Sequence, residues 1–102
     1  ATPTHAGTRC VRTCPAEVRS RLLAIARETG ATGFAAGLAA FQLFLARWTR
    51  QRDFIVGTPL SQRSLAGSEA VVGMFLNTIP LRARIAPETS FREFLRATQA
   101  VL

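Results

Sequence analysis

The sequence contains no lysine: its thirteen basic residues are all arginine, set against six acidic ones, for a formal net charge of +7. Nucleic-acid binders often draw on both basic types, so an arginine-only count carries little weight toward that class. Histidine is nearly missing as well. His5 is the one group titrating near neutral pH, and it lies in a Thr/Gly-rich N-terminal stretch, which leaves proton-transfer catalysis without a carrier. Cysteine is confined to Cys10 and Cys14, which with His5 supply at most three metal ligands where structural zinc takes four. A disulfide between them would close a very short loop, so two free thiols and no metal site are expected. No apolar run reaches the roughly 18 to 20 residues of a membrane span, and the charged and apolar regions of a signal peptide are missing, so a soluble, cytoplasmic protein without membrane contact is expected. Glycine-rich phosphate loops, zinc-protease helices and EF-hands are absent too.

What remains is a globular composition, 48% apolar over 102 residues, about one domain's worth. Residues 1 to 13 suit a loop entering a short strand near Val11. Pro15 in the first turn, Glu17 near the positive end of the dipole and Gly30 beyond the end mark a first helix, with Val18, Leu22, Ile25 and Ala26 on one face. Arg19, Arg27 and Glu28 are left to face water. Thr32 is placed to cap a second helix from about Gly33 to Trp48, interrupted only by Gly37, Gln42 and Arg47. Being apolar all round, it reads as a core helix that needs cover on most sides. A chain of this length has too little else to wrap it, which predicts exposed apolar surface and a missing remainder.

After the polar turn at residues 49 to 53, Phe54, Ile55 and Val56 read as a buried strand that stops at Gly57-Thr58-Pro59, followed by a polar loop over residues 60 to 70. Counting by twos from Phe75 puts Asn77, Ile79, Leu81, Ala83 and Ile85 on one strand face, with Thr78, Arg82 and Arg84 on the other. Pro80 cannot donate to a ladder, so the strand is at an edge there or bulged. Ser90 followed by Glu93 is a capping-box signature for a last helix whose apolar face is Phe91, Phe94, Leu95 and Val101 or Leu102. The sequence stops without a C-cap signal, a second sign that more protein follows.

Two stretches are odd for a plain core. Asn77 falls on an apolar strand face, where an unpaired buried amide costs about 1 to 3 kcal/mol, so it is expected either to tie the strand to a loop or to face a substrate channel. Gly57-Thr58-Pro59 with Arg63 four residues on offers a guanidinium after a sharp turn, placed to anchor that turn or to stay solvated. Ser61, Ser64 and Ser68 have no histidine partner, and the acidic residues include no tight pair.

These stretches also carry a resemblance. LAAFQLFLARWTRQRDFIVGTPLSQR, then VVGMFLNTIPLRARI and SFREFL, resemble the C-terminal half of a nonribosomal peptide synthetase condensation domain, and CPAEVRSRLLAIARETGAT resembles the helix before it. The likeness covers about residues 9 to 102 and is most specific from Gly73 to Arg82, where Leu76 stands in place of the family's usual valine. It implies an α/β fold of the chloramphenicol-acetyltransferase-like superfamily, with helices packed on a small mixed sheet. Residues 1 to 102 would form part of the C-terminal lobe, a single incomplete domain.

The resemblance further implies that carrier domains bring phosphopantetheine-bound substrates to a tunnel between two lobes, where the acceptor amine attacks the donor thioester and an amide forms. The chain itself would bind no cofactor; its partners would be donor and acceptor peptidyl carrier domains and the rest of the domain. The family's H-H-x-x-x-D-G motif is absent from this sequence, so no catalytic residue is assigned and the piece alone is expected to be inactive. Asn77 matches the family asparagine near the tunnel, with Thr78, Phe75 and Gly73 as its neighbours; Arg63 follows the V-G-T-P turn. Two other readings remain. One is a fragment of a related stand-alone acyltransferase. The other is an autonomous module binding nucleic acid or another polyanion through Arg47, Arg50, Arg52, Arg82 and Arg84, which the scarcity of aromatic residues free for stacking disfavours.

Overall fold

Local chemistry satisfies orphan backbone groups at the end of the first helix and at the starts of the second and third. The computed structural model describes residues 7–61, 67 and 70–102, in the order α1 (Ala16–Glu28), α2 (Gly33–Thr49), β1 (Asp53–Ser61), β2 (Leu76–Arg84) and α3 (Phe91–Ala100). His5, Arg63, Ser64 and Ser68 lie outside the described residues. Pro15 occupies the N-cap of α1. At the other end Ala31 N donates to Ala26 O at 2.8 Å and Gly30 N to Arg27 O at 3.2 Å, a Schellman closure. That closure needs a left-handed residue, which Gly30 supplies with φ 70°. The α2 N-terminus is capped as expected, Thr32 Oγ1 accepting from Ala35 N at 3.1 Å. In α3 the capping box is complete: Glu93 N donates to Ser90 Oγ at 3.3 Å and Ser90 N to Glu93 Oε2 at 2.9 Å.

The core is small and built largely of alanine. Ala26 of α1, Ala35, Ala36 and Ala39 of α2, Ala83 of β2, and Phe94 and Leu95 of α3 form one buried cluster. Small side chains let the helix backbones approach closely; at Gly33 an added Cβ would sit 3.2 Å from Leu23 Cδ2. Two cross-links tie α3 to the other helices. Thr32 N donates to Gln99 Oε1 at 2.7 Å, and Arg92 forms an ion pair with Glu28.

The cover that an all-round apolar α2 needs is supplied on one face only. Its alanine face, with Gln42, is buried, because α1 and α3 both pack there. The opposite face carries the large side chains: Phe34, Phe41 and Phe44 are about half exposed or more, and Trp48 is 78% exposed. Phe44 and Trp48 stack on one another with ring centroids 5.9 Å apart. The expected exposed apolar surface is therefore present.

Three strand expectations also change. No strand forms near Val11 among the described residues. β1 does not stop at Gly57 but runs on to Ser61, because β2 pairs with it along its whole length. Nor is it buried throughout, Ile55 being 64% exposed on the outer face. The two strands form an antiparallel pair with unbroken register from Asp53↔Arg84 to Ser61↔Leu76. Pro80 therefore sits opposite Gly57 without a bulge, as an edge position allows, and the side-chain parity survives: Leu81 and Ala83 are buried, Arg82 and Arg84 exposed.

Candidate functional site

The register brings together two stretches that are some twenty residues apart in sequence. Thr58 lies opposite Ile79, Pro59 opposite Thr78 and Leu60 opposite Asn77. The G-T-P end of β1 and the N-T start of β2 therefore share one end of the hairpin. The other end, from Phe54 and Ala83 to Ile85, packs into the alanine-rich core.

Asn77 differs from expectation. It shares a face with Leu81 and Ala83, yet it is exposed, since the helices cover only the half of the hairpin nearer Ile85. The buried-amide cost thus does not arise. Its Oδ1 accepts from Thr78 N at 2.9 Å, which turns the side chain back on its own strand. Thr78 is exposed on the outer face, Gly73 is exposed, and Phe75 is half-buried. Arg63, placed with this group on sequence grounds, lies outside the described residues.

Gly57 is part of a strand end on sequence grounds, and the structure gives it a steric role as well. A Cβ there would meet Thr78 Cγ2 at 2.9 Å, closer than a real Cβ tolerates, so glycine is what lets Thr78 lie against β1. A glycine inside a strand run is the sequence signal for such a close approach.

At the core end of the hairpin the outer face is held by charge. Arg82 grips Asp53 with both branches of its fork, Nε to Oδ1 and Nη2 to Oδ2, each at 2.7 Å. Arg84 Nε adds a longer contact to Oδ2 at 3.4 Å. The Arg82 hydrogen bonds, reinforced by the charges of both arginines, hold the Asp53 carboxyl below its ordinary value. The same pairing raises the pKa of Arg82.

None of these groups makes a nucleophile, a general base or a metal cage. Cys10 and Cys14 are free and exposed, and among the described residues no cluster of His, Cys, Asp and Glu could hold a metal ion. No single helix is long and apolar enough to cross a membrane. What the hairpin end offers is the exposed Asn77 amide beside the exposed Thr78 hydroxyl.

Comparison with known proteins bears on the family. The condensation-domain family profile matches residues 1–102. Gramicidin S synthase 2 of Brevibacillus brevis is 43% identical over 74 residues, 72% of this chain and 2% of that protein. Tyrocidine synthase 3 of Brevibacillus parabrevis is 42% identical over 90 residues, 88% of this chain and 1% of that protein. Among solved structures, the condensation domain of the monacolin K polyketide synthase MokA superposes with a TM-score of 0.75 at 34% identity, covering 84% of this chain and 19% of that one. The first condensation domain of the CDA synthetase gives 0.74 at 29% identity, covering 95% and 23%.

The chain thus spans a small part of its relatives' length. The polyanion-binding alternative gains nothing from these matches, and two of its five arginines, Arg82 and Arg84, are turned to Asp53. A sequence match along the whole chain, together with a shared fold, places these 102 residues in the condensation-domain family.

Proposed function

We propose that the chain is part of the C-terminal lobe of a nonribosomal peptide synthetase condensation domain, working in the cytoplasm. In this reading the complete domain joins a carrier-bound acyl or peptidyl thioester to the amine of a carrier-bound aminoacyl acceptor, forming an amide and releasing the donor's thiol. Phosphopantetheine enters on the partner carrier domains, and the chain itself supplies no group to the bond-forming step. The observation that carries the reading is the pairing of Leu60 with Asn77 and of Pro59 with Thr78, which gathers the matched G-T-P and N-T motifs at one end of the hairpin, away from the core.

There Asn77 acts as a positioning group. An exposed amide can turn from Thr78 N to a substrate carbonyl or amide N–H at little cost, since water and substrate offer it equivalent partners. The test is turnover of carrier-bound thioester substrates by the complete protein, read as amide product by mass spectrometry. Product that depends on both carrier-bound substrates supports the reading. Loading of both carriers with no amide formed would sink it.

A further inference from the structure

At the opposite end of the hairpin from Asn77, the turn between α2 and β1 meets the turn between β2 and α3. Ile85 N donates to Arg52 O at 2.9 Å and holds the two together. Between them lies an open cleft of about 410 Å³. Its lining includes Arg47, Arg50 and Arg52 together with the apolar Leu43, Ile85 and Pro87.

We infer that this cleft is a binding site for a phosphate-class oxyanion carrying an apolar substituent. Three arginines, Arg47, Arg50 and Arg52, are among its lining residues, and among the described residues no carboxylate lines it or forms an ion pair with them. The nearest acids in sequence do not answer the charge: Asp53 is held by Arg82 and Arg84, and Glu88 is not in the lining. A second observation concerns Arg50. It is the one described non-glycine residue with positive φ, at 58°, and it ends α2 beside the cleft.

The charge count selects the ligand. A carboxylate offsets one of three positive charges, whereas a phosphate monoester carries roughly −1.5 to −2 at neutral pH and three acceptor oxygens for paired guanidinium N–H donors. Leu43, Ile85 and Pro87 give an organic substituent a surface to cover, which inorganic phosphate leaves wet. The site goes beyond the proposed amide-forming function and does not depend on it, because its ligand is bound away from the channel-lining end.

The test is calorimetric titration of the complete protein carrying this sequence, with phenyl phosphate, inorganic phosphate and benzoate in low salt. The expected order is phenyl phosphate tightest, inorganic phosphate weaker and benzoate weakest, with binding lost as salt passes about 0.1 M and the screening length drops below about 10 Å. The R47Q/R52Q double variant is expected to bind phenyl phosphate about tenfold or more weakly, the loss of charge-assisted hydrogen bonds. Benzoate matching phenyl phosphate, no heat from either phosphate, or an unchanged affinity in the double variant overturns the proposal. The wild-type ligand order decides it even if the double variant does not fold.

Discussion

Gly57 and Thr78 approach across the strand pair so closely that a single methyl on Gly57 would come within 2.9 Å of Thr78 Cγ2. The contact is diagonal, since Gly57 faces Pro80 in the register, and it lies on the outer face of the hairpin. Gly57→Ala is therefore expected to destabilise the fold by about 1 to 3 kcal/mol through overpacking. Thr78→Ser removes the offending methyl, so the double variant should regain much of the loss. A double-mutant cycle in urea checks this, and strictly additive single effects would count against the contact.

Asn77 is exposed, and among the described residues its side chain bonds to the adjacent Thr78 N, so Asn77→Ala should shift stability by no more than about 0.5 kcal/mol. In the complete protein the same variant is expected to lower amide formation severalfold if, as proposed, Asn77 positions substrate. Thermal unfolding and product mass spectrometry on one preparation separate the two effects. A parallel fall in both would make the residue structural.

Arg50 ends α2 in the left-handed region, where a residue with a Cβ costs about 1 to 2 kcal/mol relative to glycine. Arg50→Gly should accordingly raise the unfolding midpoint in denaturant. The same substitution should weaken phenyl phosphate binding, so that stability and affinity move in opposite directions.

Asp53 and Glu93 both titrate below their ordinary values of 3.8 and 4.5, Asp53 chiefly through the Arg82 fork and Glu93 chiefly through the Ser90 hydroxyl. Each binds fewer protons folded than unfolded, so its contribution is complete above the ordinary value and is lost as pH falls through the depressed one. Stability should be level from neutral pH down to about pH 5 as far as these two groups govern it, and decline below about pH 4. Asp53→Asn with Glu93→Gln should flatten that decline in pH-dependent denaturation. Both carboxylates are exposed, so the decline should also shrink in high salt.

The elements were readable because their signals are local. Thr32, Ser90 with Glu93, and Gly30 satisfy backbone groups within a few residues, and such caps work much the same way in any context. The alternation from Phe75 to Ile85 likewise sets which side chains share a face, and unbroken pairing past Pro80 preserves it. Burial along that face was not readable. Asn77 and Leu81 have the same parity, but Leu81 lies where the helices pack and Asn77 does not. The extension of β1 to Ser61 escapes sequence reasoning for a related cause, since a glycine and a proline look like a stop until a partner strand pairs across them.

The sequence by itself determined where the three helices start and where α1 and α2 stop, the two-fold rhythm of β2 and the motifs that mark the family. All of these depend on neighbours within a turn or two, or on residue identity alone. Only the tertiary structure decided that alanines rather than phenylalanines form the buried face of α2, that Gly57 must be small for Thr78, and that Arg47, Arg50 and Arg52 line one cleft. Those outcomes depend on which elements come to lie against one another, and packing is a property of pairs of surfaces that one stretch of sequence does not contain.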